Sequence, residues 1–172
     1  MAFLVRAFAA ANAPDTELVC AGGGAGRESL GALAAELGVG ARVRFVGYVP
    51  DADLPGLYAG ALGFAYPSEY EGFGLQLVES MASGCPTLAS DRTCLPEILG
   101  DGGETFPLET PDRLADQLRR LAADPHYRAD LAARGRRRAE AFSWAKCAAE
   151  TRAVYEAARQ GAARPQFLEP RR

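Results

Sequence analysis

Two glutamates, Glu71 and Glu79, flank a glycine-rich turn in the segment Ser68 to Ser90, SEYEGFGLQLVESMASGCPTLAS. The run before it, Ala61 to Tyr66, is apolar and short enough for a buried strand, which Pro67-Ser68 ends. Glu71 therefore falls in a loop at a strand's carboxyl end. Gly72 and Gly74 let the backbone turn tightly and approach a ligand closely. A helix starting near Gly74 turns its unpaired N–H groups and positive dipole end outward, which suits a diphosphate. Glu79 lies more than a helical turn further in, where its carboxylate can accept hydrogen bonds from vicinal hydroxyls such as those of a ribose.

The elements that must hold this segment alternate. Strands are expected near Glu17 to Ala21, Arg42 to Val46, Ala61 to Tyr66, Pro86 to Ala89 and Thr105 to Phe106. Helices are expected near Met1 to Asn12, Arg27 to Leu37, Ala52 to Ala59, Gly74 to Ser83, Pro111 to Ala122, Tyr127 to Ala141 and Trp144 to Arg159. This is the pattern of an α/β fold, a Rossmann-like parallel sheet with helices on both faces. Gly84-Cys85-Pro86 is a helix stop, and Ser143 is positioned to cap the last helix. Residues 1–160 read as one domain and 161–172, with two prolines and no periodicity, as a flexible tail.

The segment around Glu71-Gly72-Phe73-Gly74-Leu75 resembles the retaining GT-B glycosyltransferases of family 4, marked by two glutamates separated by seven residues. LVCAGGG (Leu18 to Gly24), RVRFVGYVPDADLPGLYAGA (Arg42 to Ala61), LPEILGD (Leu95 to Asp101) and FSWAKCA (Phe142 to Ala148) follow that family's order and spacing. The resemblance implies that Glu79 binds the donor's ribose, that Gly72, Phe73, Gly74 and Leu75 contact its phosphates, and that Glu71 contacts its sugar. It puts Tyr48 and Val49 where related enzymes contact the base through backbone, although side-chain packing is an equal or better reading of those two residues. The implied reaction transfers a hexosyl group from a nucleoside diphosphate sugar to a hydroxyl acceptor with retention. The implied donor is a nucleotide sugar, with neither cofactor nor metal. Thr93-Cys94 stand where many relatives carry Gly-Gly, a departure that points toward GDP-mannose and leaves a UDP-sugar open. Gln76 replaces a frequent proline and adds an N–H at the anion end.

A chain of 172 residues has room for about one domain. The family's donor domain begins with a strand ending in Gly-Arg, then a Lys-Gly, and this sequence starts after both. In the doubly wound order 3-2-1-4-5-6, the first strand is central. Its absence predicts two half-sheets with unpaired edges. The expected partner is an N-terminal acceptor domain, in the same or another chain. The second function class is therefore a nucleotide-sugar-binding subunit or inactive fragment.

Gly22, Gly23, Gly24 and Gly26 raise a different possibility, a dinucleotide-binding turn. Starting from Gly22-x-Gly24, the third glycine position is Arg27, and the next strand ends in Gly47-Tyr48 rather than an acidic residue, so a plain tight turn is the better reading. The net charge of −3 and pI near 5.3 argue against nucleic acid. No apolar run approaches the ~20 residues that span a bilayer, and no signal-peptide pattern opens the chain, so the expected compartment is the cytoplasm. Membrane contact is open but not indicated: Arg134, Arg136, Arg137 and Arg138 form a basic cluster able to touch anionic lipid, and a charged outer helix face is the commoner reading. Cys20, Cys85, Cys94 and Cys147 lack metal or redox spacing and read as reduced, mostly buried thiols; Cys94 lies in a loop that can face the donor. His126, in Asp124-Pro125-His126, reads as a solvent-facing turn residue.

Overall fold

A computed structural model describes residues 1–24 and 26–160. The chain forms two compact units, Met1–Ala139 and a second beginning at Glu140. In the first, β1 (Leu18–Ala21) pairs in parallel with β2 (Val43–Gly47), and β3 (Phe64–Tyr66), β4 (Thr87–Ser90) and β5 (Glu104–Phe106) form a separate parallel sheet in the order β3-β4-β5. The two half-sheets expected from the sequence are therefore present. β1 pairs with β2 along one edge, and β3 pairs with β4 along one edge.

The seam is spanned by α1 (Ala2–Ala11). Leu4 and Ala7 enter a core with Leu88 of β4, Phe106 of β5 and Leu114 and Leu121 of α6 (Asp112–Ala123). Val5 and Phe8, one position further round, enter a second core with Cys20, Val43 and Ala34 of α2 (Arg27–Glu36). An amphipathic stripe at helical spacing thus serves both half-sheets. Asn12 ends the helix in the left-handed conformation, its N–H bonded to the Ala9 carbonyl.

β4 is buried along its whole length. Successive strand residues face opposite sides, so Leu88 meets the α1 and α6 layer whereas Thr87 meets α4 (Leu75–Ala82). Helices therefore cover both faces. The Ser80 and Thr87 hydroxyls, both fully buried, share a 2.8 Å hydrogen bond that fixes α4 on the sheet. α4 ends at Gly84, left-handed at φ 72°, with the Cys85 N–H reaching back to the Ser80 carbonyl.

Several expectations need correction. The apolar run at Ala61 to Tyr66 forms a strand only over Phe64–Tyr66, because a turn through Gly60 to Gly63 occupies its start. α5 (Leu95–Leu99) is a helix that the expected set does not include. Its Pro96 is tolerated in the first turn, where no upstream carbonyl awaits its missing N–H. On α7 (Pro125–Ala139) the arginines are mostly not an outer face. Arg138 donates to the Ile98 and Glu97 carbonyls at the end of α5, Arg134 to the Asp101 carbonyl, and Arg136 lies over Gly84. Cations there complement helix C-termini. Of the cysteines only Cys20 and Cys85 are buried, and burial raises the Cys85 thiol to about 12. His126 is exposed, and Asp124 caps α7 by accepting from the His126 and Tyr127 N–H groups.

In the second unit α8 (Trp144–Arg159) begins at Ser143, whose hydroxyl accepts from the Lys146 N–H at 3.1 Å. The tail assigned to 161–172 lies outside the described residues.

Candidate functional site

The loops after β3 and β4 emerge on one edge of their sheet, because parallel strands put their carboxyl ends together. The first carries Glu71 through Leu75 and opens into α4. Gly74 is its helix N-cap, left-handed at φ 88°. A Cβ at Gly74 would come within 2.8 Å of Leu95 Cδ2, so backbone conformation and space both demand glycine. Gly74→Ala should therefore cost on the order of 1–3 kcal/mol in chemical denaturation, the range for a strained left-handed residue. Gly72 differs from the sequence reading. Its φ is not left-handed, and a Cβ there would meet nothing within 4 Å. The turn itself does not require that glycine.

α4 buries Leu77, Ser80 and Met81. This fixes its rotation and leaves Gln76 and Glu79 exposed. Glu79 is directed toward α3 (Leu54–Ala59), where the Tyr58 hydroxyl lies 3.5 Å from its Oε2. The two residues line a concavity of about 400 Å³ together with Asp51, Leu54, Pro55 and Ser83. Burial, and secondarily the Glu79 charge, raise Tyr58 to about 12, so it remains a proton donor at neutral pH.

Glu71 is half-buried and held more firmly. Tyr66 donates to its Oε1 at 2.5 Å and Ser68 to the same oxygen at 2.9 Å. Burial and then the Glu71 hydrogen bond push the Tyr66 phenol upward. Its peptide is held as well: the Glu71 N–H donates to Thr93 Oγ1 at 3.3 Å, and the Cys94 thiol donates to the Glu71 carbonyl at 3.2 Å. Phe64 sits between the two tyrosines, edge-on to Tyr58 at 5.2 Å and stacked on Tyr66 at 5.7 Å. An aromatic row thus links the supports of the two glutamates. Sequence reasoning missed Tyr58, Tyr66 and Ser68. The available signal was Phe64 and Tyr66 two apart on a strand, hence on one face.

Tyr48 and Val49 follow β2, just past the left-handed Gly47. Tyr48 is 77% exposed, so it packs little against the described residues. Glu71 through Leu75 and Glu79 share one loop and helix, whereas Tyr48 and Val49 adjoin the Asp51 rim of the concavity only through the chain. Among the described residues no group of three or more His, Cys, Asp or Glu could hold a metal ion, and no helix is long and apolar enough to cross a membrane.

The profile of the family described as "Glycosyl transferases group 1" matches residues 2–138. The chain is 42% identical over 114 residues to O-antigen chain mannosyltransferase B of Escherichia coli, covering 66% of this chain and 30% of the relative. It is 46% identical over 130 residues to the MMP alpha-(1->4)-mannosyltransferase of Mycolicibacterium hassiacum, covering 73% and 32%. It therefore spans about a third of the length of these curated relatives. Among solved structures, sucrose-phosphate synthase from Thermosynechococcus elongatus superposes with a TM-score of 0.80 at 30% identity, covering 92% of this chain and 43% of the other. HepE from Anabaena, in complex with UDP and glucose, gives a TM-score of 0.72 at 26% identity, covering 80% and 39%. A family match running through both half-sheets and the Glu71 to Glu79 loop, on a fold shared with GT-B enzymes, means that this chain belongs to the group 1 glycosyl transferases.

Proposed function

We propose that this chain is the donor-binding half of a retaining hexosyltransferase that uses a nucleoside diphosphate sugar and a hydroxyl acceptor. The observation that carries the reading is the pairing of two supported carboxylates across the N-terminus of α4. Glu79, beside Tyr58 on the concavity, accepts hydrogen bonds from the ribose hydroxyls. Tyr48 and Val49 offer their backbone to the base. The diphosphate lies against the Gly72, Phe73, Gly74 and Leu75 backbone, where the leading N–H groups of α4 have no upstream carbonyl. The open space over Gly72 gives the phosphates room. Tyr66 and Ser68 occupy Oε1 of Glu71 and so turn Oε2 to a hydroxyl of the transferred sugar.

The chemistry this arrangement supplies is electrostatic. As the glycosidic bond breaks, charge grows on the departing diphosphate, and fixed N–H dipoles stabilise it without reorganising. Further cations are needed for a full counter-charge. We place them, with a parallel strand between β1 and β3, on a further segment of the donor domain, and we place the acceptor site on an N-terminal domain, in the same or another chain. The separation of the two sheets and the greater length of the relatives support this. We take the cytoplasm as the setting.

For the donor we favour GDP-mannose. The support is Thr93-Cys94, side chains that meet the Glu71 peptide where smaller residues would leave it free, together with the mannosyltransferase names of two relatives. The test is a calorimetric titration of the full-length protein with GDP-mannose and with UDP-glucose. Binding at least about tenfold tighter for GDP-mannose, roughly 1.4 kcal/mol, supports the assignment. A preference for UDP-glucose contradicts it.

A further inference from the structure

We propose that Thr93 and Cys94 form a clasp that positions Glu71, making them specificity-determining residues that act through another side chain. The inference rests on the site reading above and deepens it. Thr93 is one of two non-glycine residues at positive φ among the described residues, at φ 50°. A β-branched residue in the left-handed region is a genuine outlier, and such strain persists where surrounding structure holds it. Here the holding contact is visible. The exposed Thr93 points its hydroxyl at the Glu71 N–H, and the next residue, Cys94, points its thiol at the Glu71 carbonyl. Both polar groups of one peptide residue are thereby taken by side chains 22 and 23 positions away.

The same turn is anchored from below. Leu95, fully buried, fills the space that glycine leaves at Gly74. The β4 to α5 connection therefore touches the donor loop at both its start and its end. With Tyr66 and Ser68 on the carboxylate, Glu71 is held at its main chain and its side chain by different elements. A carboxylate fixed this way discriminates between sugar hydroxyl patterns, because it does not follow a wrongly placed hydroxyl. Glycines at positions 93 and 94 would leave the Glu71 peptide without either partner.

The consequence is read as the sugar-dependent part of donor affinity, which a purely structural role does not move selectively. In the full-length protein, GDP and GDP-mannose are titrated in parallel, as are UDP and UDP-glucose. Thr93→Val keeps the shape and loses the acceptor. It should leave nucleoside diphosphate affinity unchanged and weaken the sugar-bearing ligand about three- to tenfold, the factor for one hydrogen bond of ordinary net strength. Thr93→Ser restores the acceptor and should recover most of that loss. Cys94→Ala and Cys94→Ser should behave as the same pair, with thermal unfolding confirming that each variant is folded. Equal weakening of the nucleotide and the nucleotide sugar, or no change in Thr93→Val and Cys94→Ala alike, overturns the clasp while leaving the donor site standing. A wild-type protein that binds neither nucleotide overturns the site reading and the clasp with it.

Discussion

Replacing Glu71 by alanine should lower kcat about 10- to 100-fold, a larger effect than the roughly three- to tenfold loss expected in nucleotide-sugar affinity, while leaving nucleoside diphosphate affinity unchanged. The reasoning begins with what the carboxylate touches. Tyr66 and Ser68 fix Oε1, and the peptide is tied to the β4 to α5 turn, so the group cannot follow the substrate and meets the sugar best where the transition state places it. A hydrogen bond to a charged acceptor contributes on the order of 1.5–3 kcal/mol, which spans roughly that rate factor when it is strongest in the transition state. Interactions that tighten as the sugar distorts raise kcat rather than binding. Steady-state kinetics of the full-length enzyme, with kcat and donor KM separated, checks it. Removal of the carboxylate also leaves the Tyr66 and Ser68 hydroxyls without their acceptor, so Glu71→Gln is the cleaner second variant.

Glu79→Ala should have the opposite profile. Donor affinity should fall by about 10- to 100-fold, the same charged hydrogen-bond range applied to ground-state binding. At saturating donor kcat should change little. Glu79 is exposed on α4, so its loss does not open the core, and the fold should be retained. The two variants thus divide binding from turnover. Calorimetry with the nucleoside diphosphate alone sharpens the division: Glu79→Ala should lose affinity for it and Glu71→Ala should not, since the nucleotide carries no sugar for Glu71 to meet. Equal losses in both variants, with matching kinetics, would contradict the assignment of roles.

Much of this architecture was legible because local signals agreed. The strand before Pro67, the glycine turn and the helix stop at Gly84-Cys85-Pro86 each carry their own chemistry, and all three lie close to where they were expected. α8 matches its expected bounds because Ser143 is a strong cap. The division into two half-sheets was legible from strand order alone, and β1-β2 and β3-β4-β5 are separate sheets. Misreadings arose where distant contacts decide. α5 contains a proline and precedes a glycine, and what stabilises it is burial of Leu95, Ile98 and Leu99 with Arg138 on its last carbonyls. The arginines of α7 looked solvated because their partners, at the ends of α4 and α5, are 33 to 52 residues away in sequence. In the site, Glu71 and Glu79 were visible as residue types at a spacing. Their supports Tyr58, Tyr66 and Ser68 were not, and Thr93 and Cys94 stood out only as a departure near the donor, since no periodicity encodes which hydroxyl or thiol meets which oxygen.

The central claim is that a nucleoside diphosphate lies between Glu71 and Glu79 at the start of α4. Hydrogen–deuterium exchange of the full-length protein, with and without saturating GDP or UDP, reads this directly. The account predicts that the strongest protection falls on peptides spanning residues 70–80, with weaker protection at 47–58. Protection centred on Gly22 to Arg27 with none at 70–80 would contradict it and return the glycine turn after β1 to consideration as the nucleotide site.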